Sequence, residues 1–125
     1  MLTAYTIGTP SLPPSCPIAL APVKAVVSLY GVTVQPNREV SPIDYVRSGL
    51  PPTLLIQGTI DHVVTPEDAT QMAARLASVG DQYRLVQLPF TDHVFDLFWG
   101  GFPAQIARGV MRQFLDQNLR SETSP

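Results

Sequence analysis

The chain has 125 residues, is 45% hydrophobic and 14% charged, and carries a net charge of −2. This is too apolar for a disordered polypeptide and too evenly charged for a nucleic-acid-binding surface. The single cysteine, Cys16, excludes an internal disulfide, and no apolar run approaches the roughly 20 residues of a membrane span.

The first stretch, Met1 to Thr6, reads as the end of a helix, with Gly8 as its stop. It lacks the basic-then-apolar pattern of a signal peptide, so a cytoplasmic location is expected. Thr9 to Pro22 is proline-rich and without periodicity, and reads as loop. Val23 to Tyr30 (VKAVVSLY) is a continuous apolar, β-branched run ended by Gly31, which suits a strand buried on both faces. Thr33 to Leu50 is irregular, with a short helical turn near Pro42 to Val46.

Pro51-Pro52 introduce a second buried strand, Thr53 to Gln57 (TLLIQ), closed by Gly58. A helix follows. Thr65 is a fitting N-cap, Pro66 suits the first helical position, and Glu67 and Asp68 favour the positive end of the dipole. Its apolar stripe is Met72, Ala73, Leu76 and Val79, and Gly80 ends it. Tyr83 to Leu88 (YRLVQL) is a third strand, partly alternating as at an edge, and Pro89 stops it. After the loop Phe90 to Gly101, Pro103 opens a last helix with Ile106, Val110, Phe114 and Leu115 on one side.

Strands alternating with helices imply right-handed crossovers and a parallel sheet with helices on its faces, an α/β fold. The expected organisation is a helix end and Pro-rich loop over 1–22, a partial α/β domain over 23–119 and a polar tail over 120–125.

Two loops carry the chemistry. Gly58-Thr59-Ile60-Asp61-His62 follows the second strand, and Pro89-Phe90-Thr91-Asp92-His93 follows the third. Both leave from the carboxyl edge of a parallel sheet, where such sheets build their sites. Neighbouring strands lie roughly 4.8 Å apart, so a carboxylate on one loop reaches an imidazole on the next. Asp61 and His93 are the candidate catalytic acid and base. His93 would take the proton of a hydroxyl nucleophile, and Asp61 would fix the imidazole tautomer and stabilise the imidazolium.

Other roles are open to the residues around them. Asp92 and Asp96 read as turn-forming or substrate-mouth residues, with Asp92 also a second candidate for the acid, and His62 as a solvated loop residue. Asp61-His62 and Asp92-His93 with Asp96 offer mixed nitrogen and oxygen donors, but no metal-site spacing or cysteine cluster accompanies them. No metal or cofactor is therefore expected. Cys16 has no strand before it and no histidine partner, which argues against a nucleophile there. Phe90, Phe95, Phe98, Trp99 and Phe102 either line an apolar acyl pocket or pack the core of the histidine loop.

The stretches PPTLLIQGTIDHVVTPEDATQMAARL and YRLVQLPFTDHVFDL resemble the acid and histidine region of α/β hydrolases. The likeness is to acetyl-esterase and lipase-like carboxylesterases and to prolyl-oligopeptidase-like hydrolases. The acid in these groups lies in a G-x-x-D loop, matched by Gly58 to Asp61, and the histidine in an acidic-His-x-Phe context, matched by Asp92 to Phe95. VKAVVSLYG with SPIDYV resembles the strand and connector before the acid loop. The likeness covers roughly residues 20–118.

The resemblance implies the C-terminal half of an α/β-hydrolase fold, a serine hydrolase acting on carboxylic esters, and no cofactor. A prolyl-oligopeptidase-like peptidase is the alternative. The chain departs from the pattern in having no G-x-S-x-G: its serines are Ser11, Ser15, Ser28, Ser41, Ser48, Ser78, Ser121 and Ser124, none in a strand–turn–helix elbow. The resemblance places the nucleophile and the oxyanion-hole loop upstream of Met1, so a truncated fragment or split-enzyme half, inert by itself, is expected. Gln57 stands where these groups often have histidine, and His62 where they often have proline or a charged residue; neither departure is expected to touch the triad. The expected partners are a small-molecule ester and an N-terminal segment or a second copy covering the exposed sheet, with no nucleic acid and no membrane.

Overall fold

The computed structural model describes residues 22–120. The helix end and proline-rich loop expected before Pro22, Cys16 among them, and the tail beyond Arg120 lie outside the described residues. Three strands, β1 (Val26–Leu29), β2 (Thr53–Gly58) and β3 (Tyr83–Leu88), form a parallel sheet in the order β1-β2-β3. Two helices, α1 (Pro66–Ser78) and α2 (Phe102–Leu119), follow β2 and β3. Short 3₁₀ turns occupy Arg38–Val40, Pro42–Tyr45 and Phe95–Leu97.

The side-chain alternation of the strands feeds two separate cores. Leu54, Ile56 and Leu88 point to one face and pack with Phe95, Ala107 and Phe114. Leu55 points to the other and packs with Val46, Met72, Ala73 and Leu76. Thus α2 covers one face and α1 the other. The register pairs Ile56 with both Leu29 and Val86, so the apolar layer under α2 runs across all three strands, whereas on the α1 side Leu55 pairs with Leu85 and with the polar Ser28.

β2 is buried at every position because it has a strand on each side and a helix on each face. β1 differs from its expected double burial. It is half-buried throughout and spans only four residues, because among the described residues its outer edge has no neighbouring strand. A groove of about 390 Å³ runs beside it, lined in part by Val26, Ser28, Tyr45, Leu50 and Leu55. β3 is the opposite edge, exposed at Tyr83 and Arg84.

The ends of α1 fall where the local chemistry places them, with one change. Thr65 holds the N-cap position with extended backbone, but its side chain makes no capping bond. The Thr65 carbonyl instead accepts from the N–H of Asp68 at 3.0 Å, and Pro66 contributes no donor that needs a cap. Gly80 takes φ +79°, the left-handed turn that releases the chain toward β3.

Candidate active site

β2 and β3 are hydrogen-bonded neighbours, so the loops that follow them leave side by side. Backbone and side chain then stitch the loops together. Thr59 N–H donates to the Leu88 carbonyl at 3.0 Å, and Ile60 N–H to the Thr91 carbonyl at 3.2 Å. Phe90 N–H donates to Thr59 Oγ1 at 2.9 Å.

This stitching brings the two candidate residues together. His93 Nδ1 lies 2.9 Å from Asp61 Oδ2. The Asp61 side chain is 0% exposed and that of His93 20%. Asp61 Oδ1 accepts from the backbone N–H groups of Val63 and Val64, each at 2.8 Å. Oδ2 also accepts from Gln57 Nε2 at 2.8 Å. Burial alone would push the Asp61 carboxyl up. The hydrogen bonds from His93, Val64 and Val63, with the charge of His93, outweigh it and hold the group below the ordinary carboxylate value of 3.8. An ionised carboxylate only accepts, so Nδ1 is the nitrogen that carries a proton here, and in the neutral imidazole the lone pair is then on Nε2.

Gln57 corrects an expectation. Its departure from the histidine that the resemblance often places there does touch the pair, because the amide, itself buried, bridges Asp61 Oδ2 and the Val64 carbonyl at 2.8 and 3.0 Å. It locks the acid loop into the turn that aims Oδ2 at His93. The other neighbours also sort themselves. Asp92 does not take the His93 ring; it accepts from His93 N–H at 2.7 Å and pairs with His62 Nδ1 at 2.9 Å. His62 is exposed as expected, but it is not without a partner. Among the described residues, no three His, Cys, Asp or Glu side chains converge to hold a metal ion.

The five aromatics do not act as one set. Phe95 is buried in the α2-side core. Phe90, Phe98, Trp99 and Phe102 are all more than two-thirds exposed. Trp99 is held from the α2 side by Arg108, whose guanidinium carbon lies 3.9 Å from the ring centroid.

One residue of the site carries no signal in the sequence beyond ending a strand. Tyr30 follows β1 with φ 39°, and its ring meets His93 edge-on at 4.5 Å between centroids, and Phe95 at 5.3 Å. The Tyr30 hydroxyl donates to Asp96 Oδ1 at 2.7 Å. Burial, then the hydrogen bond to Asp96 and the Asp96 charge, push its pKa up to about 12. The available signal was its place, immediately after a parallel strand and therefore on the site edge.

Tyr30→Phe should keep the ring contact and cost about 1 kcal/mol for the lost hydrogen bond. Tyr30→Leu should also abolish the ring-current shift on the His93 protons. Urea unfolding and proton NMR read the two losses separately.

Three non-glycine residues among those described have positive φ: Tyr30, Phe90 and Val94 at 39°, 52° and 55°. All three sit on the carboxyl edge around His93. Backbone of this kind costs on the order of 1–3 kcal/mol per residue and persists only where surrounding contacts enforce it.

Comparison with known proteins bears on the family and the fold. The model of the prolyl oligopeptidase family matches residues 29–119. Esterase LipC of Mycobacterium tuberculosis (strain ATCC 25618 / H37Rv) is 36% identical over 85 residues, 67% of this chain and 21% of that protein. The native Est2 structure, a thermophilic esterase of Thermogutta terrifontis, superposes with a TM-score of 0.70 at 21% identity, covering 82% of this chain and 45% of that one. An acetyl ester-xyloside bifunctional hydrolase from Caldicellulosiruptor lactoaceticus gives a TM-score of 0.68 at 18% identity over 75% and 42%. The chain thus spans about a fifth of the curated relative and less than half of these solved chains.

Proposed function

We propose, since this chain belongs to the prolyl oligopeptidase family and has a partial α/β-hydrolase fold, that it supplies the acid and the base of a serine-dependent ester-hydrolysing site. The observation that carries this reading is the 2.9 Å contact between the enclosed Asp61 carboxylate and His93 Nδ1, which leaves Nε2 free. In this reading Nε2 removes the proton of a serine hydroxyl as that oxygen attacks the ester carbonyl. Asp61 stabilises the resulting imidazolium, which protonates the departing alkoxide. Water then resolves the acyl-enzyme by the same two transfers. Ester chemistry is favoured because the relatives named above are described as esterases or as an acetyl-ester hydrolase.

The serine and the oxyanion donors belong to a segment outside residues 22–120 or to a partner chain. The described serines are Ser28 within β1, Ser41 and Ser48 in the connector and Ser78 at the end of α1, so none occupies a turn from a strand into a helix. A peptide-bond substrate is the second reading, favoured by the family match itself.

The test is complementation. Co-expressed with the serine-bearing half of a related esterase, the chain should hydrolyse p-nitrophenyl butyrate, and either half alone should be nearly inert. Turnover that survives His93→Ala would sink the reading. Cleavage of a peptide anilide in place of the ester would favour the peptidase reading.

A further inference from the structure

Each of the two site loops carries the dipeptide Asp-His, and the partners cross over. Asp61 takes the ring of His93, and Asp92 takes the ring of His62 at 2.9 Å. The first pair is enclosed; in the second, His62 and Asp92 side chains are 76% and 53% exposed. Asp92 also holds backbone. Its Oδ1 accepts from the N–H of His62 at 3.0 Å, on the acid loop, and from the N–H of His93 at 2.7 Å, on its own. One carboxylate therefore fastens the residue after the acid to the residue that is the base. Phe90 and Val94, two positions to either side of Asp92, both have positive φ, a conformation that needs such fastening.

We propose that Asp92 is a positioning residue for His93, and that the His62–Asp92 pair is a second clasp fixing the backbone from which the His93 ring reaches Asp61. This rests on the reading of Asp61 and His93 as acid and base. Exposure decides what the clasp can do. Solvent-exposed ion pairs add little to global stability, so its loss leaves the fold standing and loosens one imidazole.

The experiment is nitrogen-15 NMR of the imidazoles in the full chain, which has only two histidines, at about pH 8, above the ordinary imidazole range. The wild type should show His93 as a single, sharp, Nδ1-protonated tautomer. Asp92→Ala should broaden His93 into a mixture of tautomers while the melting midpoint moves by no more than about 4 °C. Asp92→Asn keeps an acceptor oxygen for the two backbone N–H groups. It should restore the His93 signals and lose only the His62 pairing.

Unchanged His93 signals in Asp92→Ala would overturn the proposal. So would Asp92→Asn behaving like the alanine variant, or either variant unfolding, which would show a role in folding instead. A wild type without Nδ1-protonated His93 would fail the acid–base reading itself, and the clasp with it.

Discussion

Asp61→Asn should lower the turnover of the complemented enzyme by about 10⁴-fold while leaving the chain folded. The asparagine oxygen can serve the N–H groups of Val63 and Val64, which hold Oδ1 at 2.8 Å. Its amide nitrogen then faces Gln57 Nε2, which loses this acceptor and keeps the Val64 carbonyl, and His93 Nδ1, which must become an acceptor. The imidazole proton moves to Nε2, and the base is lost through the wrong tautomer, not through distance. Asp61→Ala is harsher. It strips the acceptor from Val63, Val64, Gln57 and His93, and a buried network that loses one partner typically costs about 3–5 kcal/mol.

The same carboxylate sets an acid limit. Its pKa is lowered on folding, so its contribution to stability is fully present above the unfolded value of about 3.9. That contribution is lost as pH falls from there through the folded value. The urea midpoint should drop below about pH 4, less steeply in Asp61→Asn. Asp92 is also lowered, to about 2, by the His62 N–H, the His62 ring and the His93 N–H, but it is exposed and screened by solvent, so it should leave only a slight slope in that variant. An acid limb unaffected by Asp61→Asn would mean that the hydrogen bonds around Asp61 do not favour its ionised form.

Much of this site was legible from local chemistry, and the remainder was not, for identifiable reasons. β2, α1 and β3 announced themselves because Pro51-Pro52, Gly58, Pro66, Gly80 and Pro89 bracket runs with a clear period. Asp61 and His93 followed from the parallel topology, since residues just past successive strands must meet. The sequence of β1 implies double burial because apolar composition reports the affinity of a strand for cover and not whether a neighbour is present. Gln57 and Tyr30 depend on which side chain reaches across a turn or from a third strand end, and no spacing encodes that. The exposed Phe90, Phe98, Trp99 and Phe102 show the same limit: hydrophobicity did not separate them from the buried Phe95.

Gly58→Ala should be the most damaging glycine-to-alanine change among the described residues. Gly58 ends β2 opposite Leu88, where the two site loops begin to diverge. A Cβ there would lie 2.1 Å from the Thr91 carbonyl oxygen, 2.7 Å from its carbon and 3.2 Å from the Asp92 carbonyl oxygen. These are backbone atoms, so no rotamer change makes room. Either the end of the β2–β3 ladder opens or the Thr91–His93 segment moves away. In both cases the Ile60–Thr91 hydrogen bond at 3.2 Å breaks. Overpacking of this kind costs about 3 kcal/mol, which urea unfolding would register as a lower midpoint at unchanged slope. The displacement also carries His93 from Asp61, and a misplacement of about 1 Å can cost about 10²-fold in rate. The glycine of the G-x-x-D loop is thus required for room and not for a left-handed turn. Substitution by serine should then fail as badly as alanine. A Gly58→Ala chain as stable as wild type, with an intact Nδ1-protonated His93, would show that the loops are not seated against each other as described.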